Sequence, residues 1–542
     1  MGSFSMSQSR PSNDSTSTHH YGVAFFALSA QSGMMNPANV FFWAANGLGS
    51  GLLGVLPSQL SICSPARMTS FLRTSLLCSI LCVATIHAPA SAAPPAHPNI
   101  VVVMPDDVGY GDFSCHGNPV INTPVIDSLW RESVRFTDFH VSPTCSPTRA
   151  ALMTGRHEFK NGVTHTIFER ERLTLKATTM AQALKRQGYR TGIFGKWHLG
   201  DEPAYQPNKR GFDEVFIHGG GGIGQTYPGS CGDAPGNTYF NPAILHNGKF
   251  VKTQGYCTDL FFQEAVSWID SKRQGSAPFF ASIMLNAAHA PLQCPEDYFK
   301  RYQGKVPDDA AKFFGMIENI DDNMGRLLKK LKEWGLEENT LLIFLTDNGG
   351  TVGTRLFNAG MRGGKASPYQ GATRVPSFWR WPAGFKGGLD CPALAAHVDV
   401  LPTLLEILGV KVHRQLKDQI EGRSLLPLLK NPDAHSTWPD RVLVTHVGRW
   451  PKGKIDAAKY ANMSLRNQHF TLVNNGELYN LSEDPGETKN VIQDHPEVVT
   501  RLRTQYDEWW RDVQPMLVNE NVTGPKTNPF KTRYWKQFGG PK

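Results

Sequence analysis

The sequence predicts an α/β protein with a doubly wound, mostly parallel sheet that carries helices on both faces, followed by a smaller C-terminal α+β unit. Three observations lead to this prediction. Four apolar segments run without polar alternation, as strands covered on both faces do. Helical patterns separate those segments, and strands that alternate with helices build a parallel sheet. After about residue 440 the segments become short and mixed.

Each of the four predicted strands stops at polar residues. The segments are "NIVVVMPDD", "RTGIFGKWH", "FFASIMLNAAH" and "LLIFLTDNGG". Ligands of α/β proteins bind at the carboxyl ends of parallel strands, which lie along one edge of the sheet. We therefore expect the polar residues at these strand ends to converge on one site: Asp106, Asp107, Lys196, His198, His289, Asp347 and Asn348.

Helical patterns lie between these strands. "TTMAQALKRQGY" ends at Gly188, and "MIENIDDNMGRLLKKLKEWG" repeats apolar residues at helical spacing and ends at Gly335. We assign residues 93–440 to the large α/β unit. Residues 441–542 are assigned to the C-terminal unit, which has short β-type runs and a closing helix, "HPEVVTRLRTQYDEWWRDV". The Gly-rich segment from His218 to Phe240 is predicted to be a loop insertion near the substrate mouth.

Residues 68–92 are predicted to be a secretory signal peptide, with an Arg-bearing start, an apolar run and an A-x-A cleavage pattern. The apolar run, Leu76 to Ala88, is too short to span a bilayer, so we expect removal of the peptide and no stable membrane insertion. Translation from Met68 would leave residues 1–67 outside the native protein; a genuine long leader is the alternative. The mature chain is predicted to begin near Ala93 and to be secreted or periplasmic.

Cysteine content and charge narrow the classes of function. Nine cysteines fall to six after cleavage, and in an oxidising compartment some should pair, with Cys231 and Cys257 as candidates across the Gly-rich loop. No C-x-x-C pair is present, which argues against zinc. The net charge of +8 is spread along the chain without a Lys/Arg block. We therefore expect no nucleic-acid partner and at most a mild preference for anionic substrates.

Two acidic pairs at strand ends predict a metal site. Asp106, Asp107 and Asp347 supply carboxylates and Asn348 supplies an amide oxygen. An all-oxygen set suits a hard cation, Ca²⁺ or Mg²⁺, rather than zinc. One acidic pair alone would favour a solvated turn or a helix cap, but two pairs at two strand ends favour a metal. The D-x-D-x-D-G spacing of an EF-hand is absent.

Cationic groups are expected at the same edge of the sheet. Lys196 and His198 are separated by one residue and point the same way in an extended chain, while His289 and Lys365 add an imidazole and an ammonium group. Such a set around a cation suits a tetrahedral oxyanion, because it neutralises charge and can protonate a leaving group. The predicted chemistry is attack on a sulfate or phosphate ester.

The residues alone leave the nucleophile open. No G-x-S-x-G elbow and no Walker A sequence is present, so Cys145 is the remaining candidate. Pro147 and the segment up to Gly155 predict a helix that begins beside Cys145, which would lower the pKa of its thiol. A thiolate is nevertheless a soft nucleophile, poorly matched to sulfur(VI) or phosphorus, and it is exposed to oxidation outside the cell. The position suits the chemistry, but the functional group does not.

The segment "CSPTR" (Cys145 to Arg149), followed by "AALMTGR", resembles the C-x-P-x-R signature of type I sulfatases, formylglycine-dependent enzymes of the alkaline phosphatase superfamily. "GIFGKWHLG" resembles the second signature of that family. "PDDVGYGD", "TDNGG" and "GGKASPYQGATRVP" resemble its metal-binding and lysine segments, and "VDVLPTLLEILG" and "ELYNLSEDPGETKN" resemble its later landmarks. These motifs occur in the family's order from about Asn99 to Trp510, and the sequence resembles the bacterial arylsulfatases of the family.

The resemblance implies that residue 145 acts as an aldehyde. A separate formylglycine-generating maturation enzyme would convert Cys145 to Cα-formylglycine, and one hydroxyl of its hydrate would attack sulfur beside Ca²⁺. Arg149 and Lys196 would hold the hydrate. His198 would deprotonate the second hydroxyl, so that the aldehyde re-forms and sulfate is expelled, whereas a serine sulfate would need hydrolysis by water.

The implied substrate is an O-sulfate ester, either an aryl sulfate or a sulfated carbohydrate, cleaved to an alcohol and inorganic sulfate. The resemblance implies that His289 and Lys365 bind the sulfate and that one of them protonates the departing alcohol. His446, Arg449 and Trp450 are candidates to contact a sugar or an aryl group, with packing of the domain junction as the alternative. A phosphonate or phosphodiester hydrolase of the same superfamily is the second hypothesis. A non-catalytic protein that binds sulfated glycans is the third.

Overall fold

The structure, a computed structural model, describes residues 97–540. The predicted leader and signal peptide, residues 1–92, lie outside the described residues. The strands of the described part are β1 (Asn99–Met104), β2 (Val134–Phe136), β3 (Phe139–His140), β4 (Arg190–Lys196), β5 (Glu214–His218), β6 (Ala243–His246), β7 (Lys249–Lys252), β8 (Phe279–Met284), β9 (Thr340–Leu345), β10 (Ser377–Arg380), β11 (Leu389–Cys391), β12 (Ala395–Ala396), β13 (Leu443–His446), β14 (Met463–Arg466), β15 (Phe470–Val473) and β16 (Glu477–Asn480).

Helices connect and cover these strands. They are α1 (Pro124–Glu132), α2 (Cys145–Thr154), α3 (Met180–Arg186), α4 (Cys257–Lys272), α5 (Glu296–Tyr302), α6 (Asp308–Glu333), α7 (Gln370–Thr373), α8 (Val400–Ile407), α9 (Arg414–Gln419), α10 (Leu426–Lys430), α11 (Ile455–Ala458), α12 (Pro496–Val513) and α13 (Pro529–Phe538). Within the described range, none of these helices combines the length and the apolar character needed to cross a membrane.

The large sheet has ten strands in the order β11-β2-β10-β9-β1-β8-β4-β5-β6-β7. The five strands from β9 to β5 in that order are parallel to one another. The four strands predicted from apolar segments are β1, β4, β8 and β9, and they lie side by side at the centre of the sheet. Their carboxyl ends therefore share one edge, as a doubly wound fold requires.

Alternate residues of β1 face two separate apolar cores. Val101 and Val103 pack in the core that includes α1, α4 and α6, while Ile100, Val102 and Met104 pack in the core that includes α2, α3 and α8. Both faces of the sheet are thus covered by helices, which explains why β1 is apolar at every position from 100 to 104. The predicted fold class is confirmed.

The two helical patterns named in the sequence are also confirmed as α3 and α6. Both are followed by a glycine in the left-handed region, Gly188 at φ 86° and Gly335 at φ 66°, a conformation that ends helices and that favours glycine. α6 begins at Asp308, earlier than the apolar pattern suggests, and its first turn carries Asp308 and Asp309. Carboxylates there stabilise the positive end of the helix dipole.

The C-terminal part contains the smaller sheet, with antiparallel strands in the order β13-β14-β15-β16. Helix α12 packs against this sheet through Leu502, Tyr506 and Trp510. Helix α13 instead contacts the large sheet: the side chain of Gln537 exchanges two hydrogen bonds with the backbone of Phe250 in the edge strand β7. These bonds cover an edge strand that would otherwise present unpaired backbone groups.

Candidate active site

The strand ends bring the predicted polar residues together. Asp106 and Asp107 follow β1, Lys196 ends β4, and Asp347 follows β9. Carboxylate oxygens of Asp106, Asp107 and Asp347 lie within 4.8 Å of one another and of the sulfur of Cys145, the first residue of α2. Residues more than two hundred positions apart therefore form one cluster, as the parallel topology predicted.

Two oxygen atoms in this cluster lack hydrogen-bond partners although they are buried: Oδ1 of Asp106 and Oδ1 of Asn348. The amide of Asn348 is oriented by its Nδ2, which donates to Oδ1 of Asp107 over 3.1 Å and to the carbonyl oxygen of Gly349 over 3.0 Å. Buried acceptors without donors are unfavourable unless a cation meets them. The donor set of three carboxylates and one amide oxygen fits a hard cation such as Ca²⁺.

Each of the three carboxylates also has a basic partner. Arg149 donates from Nε and Nη2 to Oδ2 of Asp347 over 3.1 and 2.8 Å. The ammonium group of Lys196 contacts Asp106, and that of Lys365 contacts Asp107. The pairs of Arg149 and Lys196 are fully buried, and removal of one partner from a buried pair typically costs about 3–5 kcal/mol of stability.

The positive groups act unequally on the carboxylates. Burial alone would raise the pKa of Asp107, but Lys365, His289 and Lys196 outweigh it and hold that pKa below its ordinary value. Burial and the charge of Asp106 raise the pKa of Asp347 to about 6 in spite of Arg149. The three cationic partners equal the three carboxylates in number, but they stabilise the charge of Asp107 much more than that of Asp347.

The thiol of Cys145 differs from the prediction. Burial and the charge of Asp106 raise its pKa to about 12, although Cys145 is the first residue of a helix. The expectation of a lowered pKa is wrong, because removal from water and a neighbouring carboxylate outweigh the helix dipole. The sulfur lies 3.9 Å from Oδ1 of Asp107. An unmodified thiol at this position is protonated at neutral pH and is a poor nucleophile.

Two imidazoles complete the cluster. The Nε2 atom of His198 lies 2.8 Å from the carbonyl oxygen of Thr166, whereas its Nδ1 atom is buried without a partner. The Nε2 atom of His289 lies 3.8 Å from Oδ2 of Asp107. Burial lowers the pKa of both rings, to about 4 for His289, so both are neutral near pH 7. His198 and Asp107 have left-handed backbones, φ 56° and 61°, which concentrates strain at this site.

Sequence reasoning missed two glycines that shape the site. A Cβ atom on Gly221 would lie 2.7 Å from Cε1 of His198, and a Cβ atom on Gly222 would lie 3.0 Å from Nδ1 of His289. Both rings thus pack directly on backbone where a side chain would displace them. The signal was the run "HGGGGIG", because four consecutive glycines mark a close backbone approach.

A cavity of about 260 Å³, here called the catalytic cavity, opens above Cys145. It is lined by His198, His289 and Lys365 and, from the predicted Gly-rich loop, by Gly221, Gln225 and Tyr227. The loop was predicted to lie near the substrate mouth, and that is where the structure places it. Arg449 also lines the cavity.

The other two candidate substrate contacts lie elsewhere. His446 is buried in the C-terminal core, where its ring stacks on Trp510 and its Nε2 lies 3.0 Å from the carbonyl oxygen of Ala458. The expectation that His446 reaches the mouth is therefore corrected. Trp450 donates from Nε1 to Glu520 over 2.7 Å and lines a neighbouring cavity rather than the catalytic one.

The predicted pairing of Cys231 with Cys257 is wrong, and the cysteines of the described residues are free thiols. The Cys231 sulfur lies 3.4 Å from the carbonyl oxygen of Thr166 and 3.9 Å from Nε2 of His198, beside the active site. Cys257 instead begins α4 and is packed in the core beneath the sheet. Their spacing in the sequence suggested a loop closure, but the chain places the two sulfurs in different surroundings.

Asp112 provides a test of burial near the site. Its Oδ2 accepts from the backbone of Gly109 over 2.8 Å, its Oδ1 has no partner, and burial raises its pKa from 3.8 to about 7. The folded protein thus holds this proton more tightly than the unfolded chain. The resulting stabilisation is complete below about pH 4 and is lost as the pH rises to about 7, by up to about 4 kcal/mol.

We expect Asp112→Asn to remove this loss, since the amide stays neutral at every pH. The difference in free energy of unfolding between Asp112→Asn and wild type should shift in favour of the variant between pH 4 and pH 8. Denaturant unfolding at several pH values measures it. Asp494→Asn, at an exposed carboxylate that forms no ion pair within the described residues, is the matched control and should show no such shift. A pH-independent difference for Asp112→Asn would contradict the prediction.

Fold and site together define a hydrolase for esters of a tetrahedral oxyanion. Residues 98–410 match the family model Sulfatase, and residues 364–511 match the model N-sulphoglucosamine sulphohydrolase, C-terminal. The chain is 29% identical to rat (Rattus norvegicus) N-acetylgalactosamine-6-sulfatase, covering 79% of this chain and 88% of the rat enzyme. It is 31% identical to human (Homo sapiens) arylsulfatase A, covering 73% and 83%. The chain belongs to the sulfatase family and is a sulfuric ester hydrolase.

A solved structure shares the fold of this chain. The crystal structure of Ps i-CgsB in complex with k-i-k-neocarrahexaose matches with a TM-score of 0.69 and 28% identity, covering 82% of this chain and 98% of that chain. The large mixed sheet and the smaller C-terminal antiparallel sheet therefore recur in a relative. The family assignment favours an enzyme over the third hypothesis from the sequence, a non-catalytic protein that binds sulfated glycans.

Proposed function

We propose that the protein cleaves an aryl sulfate or a sulfated carbohydrate with residue 145 acting as the hydrate of Cα-formylglycine. The observation that carries this proposal is the convergence of Cys145 with the carboxylates, ammonium groups and imidazoles of the site within one buried cluster. The raised pKa of the Cys145 thiol supports the modification, because a protonated thiol could not attack sulfur(VI). A formylglycine-generating maturation enzyme is the partner that this requires.

A hard cation is the second part of the proposal. Ca²⁺, with Mg²⁺ as the alternative, would supply positive charge that polarises the sulfate ester and the attacking hydroxyl. The unpartnered oxygens of Asp106 and Asn348 support a cation at this position. The full ligand set would be Asp106, Asp107, Asp347 and Asn348.

The residues around position 145 divide the work of attack and release. Arg149 and Lys196 lie against the carboxylates beside residue 145 and would hold its two hydroxyl groups in place. His198 keeps its Nε2 on the carbonyl oxygen of Thr166, which leaves Nδ1 as the basic atom. We assign to that atom the removal of a proton from the second hydroxyl of residue 145, the step that expels sulfate.

His289 and Lys365 would bind the oxygens of the substrate sulfate. His289 is neutral near pH 7 because burial lowers its pKa to about 4, whereas the pKa of Lys365 is raised by Asp107 against the effect of burial. Lys365 therefore stays positively charged and would bind the sulfate through charge, and one of the two residues would protonate the departing alcohol. Arg449 lines the same cavity and would contact the alcohol part of the substrate.

The cellular location is proposed from the sequence alone. Residues 68–92 have the pattern of a secretory signal peptide, so we propose that the enzyme is secreted or periplasmic.

The test of the proposed function compares two synthetic esters. Protein produced together with a formylglycine-generating enzyme is expected to hydrolyse nitrophenyl sulfate with a kcat/KM at least about 10-fold above that for a nitrophenyl phosphodiester, a difference of about 1.4 kcal/mol in transition-state stabilisation. Mass spectrometry of the peptide that contains residue 145 serves as the control for conversion. The opposite preference in fully converted protein would replace the proposal by a phosphonate or phosphodiester hydrolase.

A further inference from the structure

A second cavity adjoins the catalytic cavity and shares two residues with it, His165 and Arg449. This side cavity has a volume of about 440 Å³, compared with about 260 Å³ for the catalytic cavity. Pockets for small ligands typically measure about 300–1,000 Å³, so the catalytic cavity alone is small for more than a sulfated monosaccharide. A longer substrate would continue into the side cavity.

Arg449 stands in the wall between the two cavities without an acidic partner. Its Nη2 donates to Oγ1 of Thr166 over 3.1 Å, its Nε is buried without a partner, and no ion pair within residues 97–540 includes it. The nearby Arg170 is paired with an acid: its Nε lies 2.9 Å from Glu520, its Nη1 lies 2.7 Å from the carbonyl oxygen of Trp450, and only its Nη2 is without a partner. Arg449 therefore differs from Arg170 in that its positive charge is not balanced by an ion pair among the described residues, so it can bind a ligand anion.

The backbone holds Arg449 in place at some energetic cost. Arg449 is in the left-handed region, φ 61°, which is unfavourable for a residue other than glycine. Its amide donates to the carbonyl oxygen of Thr164 over 3.1 Å. A Cβ atom on the preceding Gly448 would lie 2.0 Å from that same oxygen, so this turn is packed directly on the segment that begins at Thr164. Strain of this kind persists where the surrounding structure requires one side-chain position.

Aromatic rings connect the two cavities. The ring of Phe168, which is 48% exposed, lies 6.0 Å from the ring of His165 and 6.4 Å from that of Tyr227. Phe168 lines the side cavity and Tyr227 lines the catalytic cavity. An exposed aromatic ring with a left-handed backbone, φ 58°, presents an apolar face suited to the C–H face of a sugar.

The charge of the side cavity favours an anion. Arg170 and Glu520 neutralise each other, which leaves Arg449 and the exposed Lys452 against the single carboxylate of Glu169. His165 adds a neutral donor: its Nδ1 accepts from the backbone amides of residues 166 and 167, so its proton is on Nε2.

We propose that the side cavity is a second saccharide subsite, and that the preferred substrate is a sulfated oligosaccharide whose neighbouring sugar carries a second anionic group, bound by Arg449 and Lys452. The anion is a carboxylate or a sulfate, because a guanidinium can bind either in a bidentate manner. The aromatic face of Phe168 supports the ring of that sugar. This inference rests on the proposed function, since it extends the substrate of the same site.

The test uses three disaccharides that carry one O-sulfate ester on the same sugar, with a neutral, a carboxylated or a sulfated neighbour. Converted wild-type enzyme is expected to show a kcat/KM about 10- to 100-fold higher for an anionic neighbour than for the neutral one, mainly through KM. Arg449→Gln should bring this ratio close to one, and Arg449→Lys should restore part of it. Lys452→Ala should reduce the ratio about 3-fold, whereas Lys454→Ala, an exposed lysine outside both cavities, should leave it unchanged.

The ratio is measured within each variant, so a general loss of activity does not affect the result, and thermal unfolding checks that each variant is folded. A ratio near one in wild type, or a full ratio in Arg449→Gln, would overturn the subsite while leaving the sulfatase assignment intact. Failure of converted wild type to cleave nitrophenyl sulfate or any of the disaccharides would instead contradict the proposed function.

Discussion

Cys145→Ala is expected to lower kcat for nitrophenyl sulfate by at least about 10,000-fold, because removal of a nucleophile leaves only the binding and charge contributions of the site. Cys145→Ser should be similarly inactive in repeated turnover, since serine cannot form the aldehyde hydrate that releases sulfate without water. The fold should persist in both variants. The Cys145 sulfur makes only a weak 3.9 Å contact with Asp107, and the buried ion pairs of the site do not depend on it.

The matched control is Cys391→Ala, which removes another fully buried thiol from strand β11 at a place outside the catalytic cavity. We expect this variant to retain activity within about 2-fold, because its effect is confined to packing. Mass spectrometry of the peptide containing residue 145 supplies a second readout, an aldehyde in active preparations of wild type. Full activity in protein whose residue 145 is entirely cysteine would exclude the formylglycine mechanism.

Removal of bound metal is expected to abolish hydrolysis and to lower the stability of the folded protein. A cation bound only to the folded state stabilises it by about 2.7 kcal/mol when its concentration is 100 times Kd. In this site it would also relieve repulsion among Asp106, Asp107 and Asp347, whose carboxylates lie within 4.8 Å of one another. Activity and Tm are measured after treatment with a chelator and again after addition of Ca²⁺ or Mg²⁺.

The variant Asn348→Ala tests whether the metal binds at this site or at another acidic cluster. It removes one oxygen ligand but keeps the carboxylates and their basic partners, so we expect metal affinity to fall about 10- to 100-fold. It also removes the two hydrogen bonds that Nδ2 donates, so the rise in Tm on addition of Ca²⁺ is measured against the chelated form of the same variant. The control is His246→Ala in the group Glu214, His246 and Glu264, which also brings possible ligands together at another part of the sheet. The prediction would be contradicted if His246→Ala abolished the Ca²⁺-dependent rise in Tm while Asn348→Ala left it unchanged. The metal would then be bound by the group of Glu214, His246 and Glu264.

Much of the catalytic site was predictable because its residues sit at the ends of recognisable strands. The apolar runs of β1, β4, β8 and β9 have no polar alternation, and this local pattern is enough to place them in the centre of a parallel sheet. Once the strands are parallel, the position of Asp106 relative to Asp347 follows from topology and requires no knowledge of side-chain packing. Motif resemblance then added Arg149, which follows no strand directly.

Other features depended on packing between distant segments. Arg449 reaches the catalytic cavity, while His446, three positions earlier, is buried against Trp510. Nothing in the local sequence distinguishes the two, because the left-handed turn at residues 448 and 449 is set by contact with Thr164. Likewise, the six cysteines suggested disulfides, but a pairing depends on the distance between two side chains that no local pattern encodes.

The sequence by itself determined the fold class, the edge of the sheet where polar side chains cluster, and which carboxylates and basic groups lie there, because strand periodicity and strand-end residues are local properties. The tertiary structure alone decided the raised pKa of Cys145, the free Nδ1 of His198 and the side cavity next to Arg449. The physical reason is that burial, neighbouring charges and cavity walls are each produced by groups from distant segments of the chain. These groups come together only after the chain has folded.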